Sequence, residues 1–279
     1  MSVLAEQAGP SRRPTAPPGG GPFDPAELGL GVVVPVLGAH SQAGTSGVAL
    51  AVADAAAATG RRVLLVDCAD PARSGLAGVC AVEGRSVRGD RRAAVRLASR
   101  RLPKGVVDVR RPVGTGEPVR PEHVPSIGSW VTADANGFDL TVVDVGWDVW
   151  ALTASDASPG PLAWATGSAA RTFPVLVMRP TAASVALAEG VLTRYHDGVR
   201  RLGLADLHCL AVVGGTSWPA RTRAVMGLHL ARLARRTLFV PASPDAAVNG
   251  WTTEPAPTGS VRAGAALLKT LTRTAKRRP

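Results

Sequence analysis

Residues 31–67 read GVVVPVLGAHSQAGTSGVALAVADAAAATGRRVLLVD, and their order decides the fold. GVVVPVLG at 31–38 is continuous and β-branched, the pattern of a strand covered on both faces. Pro35 inside it removes one ladder donor. A loop of small and polar residues follows. The alanine-packed segment 47–59 then predicts a helix that can lie close against a sheet, closed by Gly60. RVLLV at 62–66 is the next buried strand and ends on Asp67. This order sets a helix N-terminus beside the end of a strand, where α/β proteins build phosphate sites. No lysine stands in the loop.

Outward from this stretch the same alternation continues. Residues 1–27, MSVLAEQAGPSRRPTAPPGGGPFDPAE, are rich in Pro and Gly without a period, so a disordered tail over 1–29 is expected, with the domain running from 30 to 275 and a basic tail at 276–279. Residues 85–102 predict a basic helix anchored by Val95, Leu97 and Leu102, and 105–114 a short strand entering a turn. A helix is expected at 121–136, and a buried strand at 138–146 that contains Asp144. Further helices are expected near 160–171, at 182–196, at 219–236 and near 260–275, with strands at 173–178, 208–213 and 237–241. Strands alternating with helical patterns at this spacing give an α/β fold in one domain, a mostly parallel central sheet with helices on both faces. No internal repeat is visible.

Composition sets limits on function. With 279 residues, 46% of them hydrophobic, the chain can bury a sizeable core. The net charge of +11 comes almost wholly from arginine, lysine being confined to Lys104, Lys269 and Lys276. Enrichment in Arg, Ala, Gly and Pro also follows from a GC-rich genome. The distribution is more telling: residues 83–120 hold eleven Arg/Lys against four Asp/Glu, net +7, and residues 260–279 hold six against none. Two local patches suit an anionic partner such as nucleic acid, a membrane surface or an acidic protein. Cys68, Cys80 and Cys209 are odd in number and lack metal-ligand spacing, so no disulfide framework or zinc site is implied. No apolar run reaches the roughly 18 residues of a membrane span, and no signal peptide is legible. A cytoplasmic location is expected, with nucleoid or membrane association open.

Four segments in order resemble the ParA/MinD group of deviant P-loop ATPases, which position plasmids, chromosomes, septa, flagella and secretion or conjugation machines. The family's KGGVGKTT loop falls on HSQAGTSG at 40–47, followed by VALAVADAAAATG. Its strand ending VLLVD is present as Val63 to Asp67. Its aspartate strand, of the type FDYVIVDTP, falls on FDLTVVDVG at 138–146, and its VxxP strand on VLVMRPTAASVALAE at 175–189. A weaker match is LFVPASPDAAVNGWTTEPAP at 238–257, a segment that in the family lies near the nucleotide base. The resemblance covers about residues 31–275 and implies a P-loop-type fold.

It also assigns positions. Gly38, His40, Gly44, Thr45, Ser46, Gly47, Asp67 and Asp144 fall in the implied nucleotide site, with Ser46 and Asp144 as the magnesium positions. A P-loop needs converging backbone N–H groups, a lysine on the β/γ oxygens and a hydroxyl on magnesium. Here Thr45 takes the lysine position and His40 that of the family's signature lysine. Ser41 and Gln42 replace two glycines. Losing a phosphate-facing lysine removes a charge-assisted contact of about 1.5–3 kcal/mol, and hydrolysis suffers further because transition-state charge goes unneutralised. ATP and magnesium are thus implied by the resemblance and opposed by the loop. Asp67 and Asp144 could equally cap the helices that follow them, and His40 could be a loop histidine without a role.

The expected function is a catalytically degenerate positioning, partition, secretion or conjugation-associated scaffold. The alternatives are an active Mg-ATP-dependent ATPase with an atypical loop and a nucleotide-independent DNA-binding regulator. Arg88, Arg91, Arg92, Arg96 and Arg100 are the candidate nucleic-acid contacts, balanced against a solvated basic helix. Lys269, Arg273 and Lys276 belong to a C-terminal segment that resembles the membrane-binding tail of MinD-type proteins, balanced against a last core helix. Trp147 and Trp150 lie in the family's second switch loop, where a protein partner is expected; a homodimer is a further expectation.

Overall fold

A computed structural model describes residues 23–114, 116–131, 137–154 and 160–275. Nine strands form one sheet: β1 Val32–Gly38, β2 Val63–Asp67, β3 Ser86–Val87, β4 Ala94–Leu102, β5 Gly105–Val113, β6 Leu140–Asp144, β7 Val175–Met178, β8 Cys209–Val213 and β9 Thr237–Val240. Their spatial order is β3-β4-β5-β2-β6-β1-β7-β8-β9. The seven strands from β5 to β9 in that order are parallel, and β4 alone is reversed, pairing antiparallel with both β3 and β5. The helices are α1 Thr45–Ala57, α2 Val149–Ala154, α3 Ala182–Leu202, α4 Ala220–Ala224, α5 Leu228–Leu233, α6 Pro244–Asn249 and α7 Thr258–Ala275.

The parallel strands read as unbroken apolar runs because both their faces are covered. One face packs α1 and α7 against Val34, Val36, Leu65 and Val142. The other packs α2 and α3 against Val33, Leu37, Val66 and Val143. Pro35 is accommodated in a gap: β1 and β7 share a single bridge at Val33–Thr172 and their ladder resumes only at Val36–Val175. Helix α1 is buried from Gly47 to Ala57, since α7 crosses it closely; a Cβ on Gly264 would stand 2.4 Å from the Ala51 carbonyl oxygen.

Several local expectations are corrected. The helix expected at 85–102 is instead β3 and β4, the latter paired with β5 over nine positions through a tight turn at Pro103 and Lys104. Val95 and Leu97 alternate onto one face, a period of two that the intervening arginines obscured. The segment 121–131 forms short 3-10 turns at Pro121–His123 and Ile127–Trp130, and residues 132–136 lie outside the described residues. The helix expected near 160–171 is a 3-10 turn at Gly160–Ala165. The one expected at 219–236 is divided between α4 and α5, because the Glu189 carboxylate occupies the space beside Gly227 and accepts from the N–H groups of His229 and Leu230. At the N-terminal end, Phe23 and Leu28, placed by the sequence reading in the tail, are buried in the core, and Phe23 meets Trp164 edge-on.

Candidate phosphate-loop site

The loop between β1 and α1 turns within six residues, 39–44. Gly44 sits at φ 104° as the N-cap of α1 and faces Val213, whose Cγ2 lies 3.1 Å from the place of a Cβ. Only glycine combines that backbone with that neighbour. Gln42 also adopts a left-handed φ of 61°. The strained turn is held by Ala43 N–H donating to the His40 carbonyl and by Arg179 Nε donating to that of Gln42 at 3.3 Å. No side chain caps α1, and uncapped first-turn amides at a helix N-terminus are the raw material of an anion site.

Both ring nitrogens of His40 are engaged. Its Nδ1 lies 2.7 Å from the Ser41 carbonyl oxygen and its Nε2 2.7 Å from Ser184 Oγ. Since the carbonyl only accepts, Nδ1 carries the proton and Nε2 accepts from the Ser184 hydroxyl. Ser184 Oγ in turn accepts from the Arg179 N–H at 3.0 Å. The histidine is a tie between loop and α3, and Thr45 supplies no charge in the lysine position.

The carboxylates are the part of the site that the fold assembles. Asp67 and Asp144 are register partners at the ends of β2 and β6, both buried. Ser46 Oγ donates to Asp144 Oδ2 at 2.5 Å, leaving Oδ1 buried without a hydrogen-bond partner. Ser74 donates to Asp67 Oδ2, and Ala69 N–H to Oδ1 at 3.0 Å. Burial, and then the charge of Asp67, push the Asp144 carboxyl up to about 7 against the pull of Ser46 and Gly146. Burial also raises Asp67, offset by Ser74, Ala69 and the Arg111 guanidinium. Arg111 is fixed by the Ala77 carbonyl at 2.9 Å and Glu83 at 3.3 Å. Asp70 and Asp148 serve as local caps, for Ala72 N–H and Trp150 N–H.

A third component closes the site from the side. The Trp251 indole lies against Gly47, its Cζ2 only 2.4 Å from the position of a Cβ. The backbone that follows is clamped by Arg100, which donates to the carbonyls of Thr252 at 2.6 Å, Glu254, and Val79 at 3.0 Å. Its Nε and Nη2 meet Asp54 of α1 at 3.1 Å each, and Asp54 accepts from Ala256 N–H at 2.9 Å. All five guanidinium donors are used.

Arg100 is therefore removed from the candidate nucleic-acid contacts, being 1% exposed. Arg96 pairs with Glu83 at 2.6 Å, and Arg91 donates to the Glu122 carbonyl. Arg88 and Arg92 are exposed, Arg92 standing 3.7 Å from Glu117. Lys269 and Arg273 are exposed on α7, and Lys276 lies outside the described residues. Of the two readings of this segment the packing is that of a last core helix, because Leu267, Leu268 and Leu271 are buried in the core with α1. No helix among the described residues is long and apolar enough to cross a membrane. Sequence reasoning missed Trp251, Arg179 and Arg111, whose roles depend on long-range contacts that no local pattern carries.

No protein-family model matches this sequence, and no curated protein matches it. Solved structures do. A protein of Borrelia burgdorferi B31 assigned to plasmid partition, bound to AMPPNP, is 12% identical with a TM-score of 0.54, over 88% of this chain and 99% of that one. The chain has the ParA/MinD fold. The septum site-determining protein MinD of Pyrococcus horikoshii OT3, complexed with Mg-ADP, is 14% identical with a TM-score of 0.51, over 89% of this chain and 97% of that one. The ParA of pNOB8, bound to nonspecific DNA, is 10% identical with a TM-score of 0.52, over 90% of this chain and all of that one.

Within the ParA/MinD fold the two implied ligands fit differently. Ser46, with the open oxygen of Asp144, offers the hydroxyl and carboxylate that a magnesium ion takes. For the phosphates of a nucleotide the loop offers no lysine, and the Trp251 indole packs on Gly47 in the first turn of α1. A cavity of about 580 Å³ lies elsewhere, at the starts of β1 and β6 beside Thr59, Arg61 and Leu271.

Proposed function

We propose that this chain is a catalytically degenerate ParA/MinD-fold protein that acts as a positioning or scaffold component in partition, secretion or conjugation, binding ATP weakly or not at all. The carrying observation is the Trp251 indole on Gly47 in a loop without lysine. The reading is reinforced by His40, whose ring nitrogens are engaged with Ser41 and Ser184. Lacking a cation that could follow the charge of a phosphoryl transition state, the loop has little means of catalysis. The protein then acts through its surfaces. The second switch region is a suitable partner site, since Trp147 is anchored on the Cys68 carbonyl while Trp150 is exposed.

One observation favours a functioning ATPase: the 2.5 Å contact between Ser46 and Asp144, with its second oxygen open. In that reading Ser46, Asp67 and Asp144 hold Mg-ATP. Titration of the purified protein with labelled ATP and magnesium, followed by phosphate release, separates the two. Binding weaker than millimolar without turnover is expected; micromolar binding with turnover abolished by Asp144→Ala overturns the scaffold reading. A DNA-binding role rests on what remains of the basic patch, Arg88 and Arg92 with the half-exposed Arg91 and Arg96. It predicts salt-dependent DNA binding that is lost when Arg91, Arg92 and Arg96 become alanine.

A further inference from the structure

Two arginines near the edge of the sheet carry more hydrogen-bond donors than their surroundings use. Arg96 of β4 and Arg111 of β5 stand directly opposite each other in the antiparallel ladder, so both side chains leave from the face that also carries Arg100. Like charges opposed in a ladder destabilise it unless an anion lies between them. Here that anion is Glu83, whose Oε2 accepts from Arg96 Nη1 at 2.6 Å and whose Oε1 stands 3.3 Å from Arg111 Nη2. One carboxylate does not suffice. Arg96 Nε, Arg111 Nε and Arg111 Nη2 are all buried without a hydrogen-bond partner, and the Arg111 side chain is only 7% exposed. Such donors cost free energy until an acceptor reaches them.

The neighbouring acceptors are already committed. Arg111 Nη1 is spent on the Ala77 carbonyl. Asp67, whose carboxyl the Arg111 charge acts on, takes its hydrogen bonds from Ser74 and Ala69. Asp54 serves Arg100 and the Ala256 N–H. The Cys80 thiol lies beside Arg111, but sulfur is a weak acceptor. Glu83 itself is held loosely, with its side chain 53% exposed. Its backbone is fixed, since Gly84 packs on the Leu97 carbonyl and the Arg85 carbonyl accepts from Leu97 N–H at 2.8 Å. The carboxylate can therefore swing out to solvent while the chain that carries it stays in place, and Arg96, 28% exposed, marks the way in.

We propose that Arg96 and Arg111 form an oxyanion site for which Glu83 is an exchangeable stopper, and that its ligand is the dianionic phosphate group of a small phosphate monoester. Three unpartnered donors on two guanidinium forks call for several oxygens on one centre, the geometry of a phosphate. Replacing one negative charge by two also balances both arginines. A phosphodiester, with one charge and two free oxygens, is the poorer match, which separates this site from contact with a nucleic-acid backbone. No residue of the loop at 39–47 takes part, so the site stands whether or not that loop binds ATP.

The test titrates the full chain with inorganic phosphate at pH 8 by calorimetry, and follows the arginine Nε–H resonances by NMR. Because Glu83 is tethered beside the site, it competes at an effective concentration of about millimolar, and the parent should bind weakly. Glu83→Gln should tighten binding by at least about tenfold, a gain that misfolding cannot produce, and phosphate should then move the Nε–H signals of Arg96 and Arg111. Arg96→Gln in that background should weaken binding by at least about tenfold, whereas Ser46→Ala should leave it unchanged. Absence of binding in Glu83→Gln, or binding indifferent to Arg96→Gln, overturns the proposal. Binding abolished by Ser46→Ala places the anion on the phosphate loop and overturns it too, as does a 16-base-pair duplex that binds Glu83→Gln while phosphate does not.

Discussion

Trp251 and Gly47 touch so closely that the indole occupies the space a β-carbon on residue 47 would need, with 2.4 Å between the two positions. Glycine near the start of α1 is thus a packing requirement. In most helices Gly→Ala stabilises by about 1 kcal/mol; here overpacking reverses the sign, and Gly47→Ala should destabilise by about 1–3 kcal/mol. In the background of Trp251→Ala the same change should become neutral or stabilising. Urea unfolding of the two single variants and the double variant measures this coupling, and additive effects would refute the contact.

The Arg100–Asp54 pair is buried on both sides, at 0% and 3% side-chain exposure. Removing one partner leaves a charge with no water to answer it, so Arg100→Met or Asp54→Ala should cost about 3–5 kcal/mol. Limited proteolysis of Arg100→Met should cut first in the 252–256 segment, whose carbonyls lose their donors. Cleavage elsewhere would show that the guanidinium is not the clamp.

The carboxyl of Asp144 is pushed up to about 7 from an ordinary 3.8, by burial and then by Asp67. Between those values the folded protein keeps a proton that the unfolded chain has released, so stability falls as pH rises through the window and levels above it. With a chelator present, Asp144→Asn should therefore gain stability relative to the parent at pH 8 and little at pH 4.5. Melting temperatures of both proteins across pH 4.5–8 give the difference. A gain that is independent of pH would contradict the assigned cause.

Burial pushes the Cys209 thiol up to about 12, and Cys68 is raised by burial and the charges of Asp67 and Asp144. Cys80 is half-buried and raised by burial, with Arg111 and Arg100 pulling the other way. Because the thiolate is the reacting form, one thiol should react with a chromogenic disulfide at pH 8, faster as pH increases, and all three only in denaturant. Two or more fast-reacting thiols in the native protein would contradict the packing at Cys68 and Cys209.

The frame was legible because parallel strands write themselves as uninterrupted Val and Leu. Val32–Gly38, Val63–Asp67, Leu140–Asp144, Val175–Met178 and Cys209–Val213 all lie within the expected segments. The antiparallel edge was not, since β4 interleaves Arg96, Arg100 and Arg101 with a thin apolar set that fits a helix as readily as a strand. Of the expected site, Ser46, Asp67 and Asp144 were singled out by position, and the structure sets them beside one another. Their partners Ser74 and Arg111, and the indole that covers Gly47, come from segments whose approach is set by tertiary folding. Arg100 shows the limit most sharply: counted among surface charges by its neighbours in sequence, it is an interior residue by its neighbours in space.

That interior residue also bears on how the chain is made. The groups gathered by Arg100 are contributed by residues 54, 79, 252 and 254, with residue 256 completing Asp54. On a ribosome the first two precede Arg100, and the others emerge only 152 and 154 residues after it. Until then the guanidinium lacks two of its carbonyls, and the α1 side of the sheet also waits for α7. The closing of this half of the molecule is thereby deferred until residues 252–256 have been made, and a product terminated before them would carry an interior charge half-satisfied.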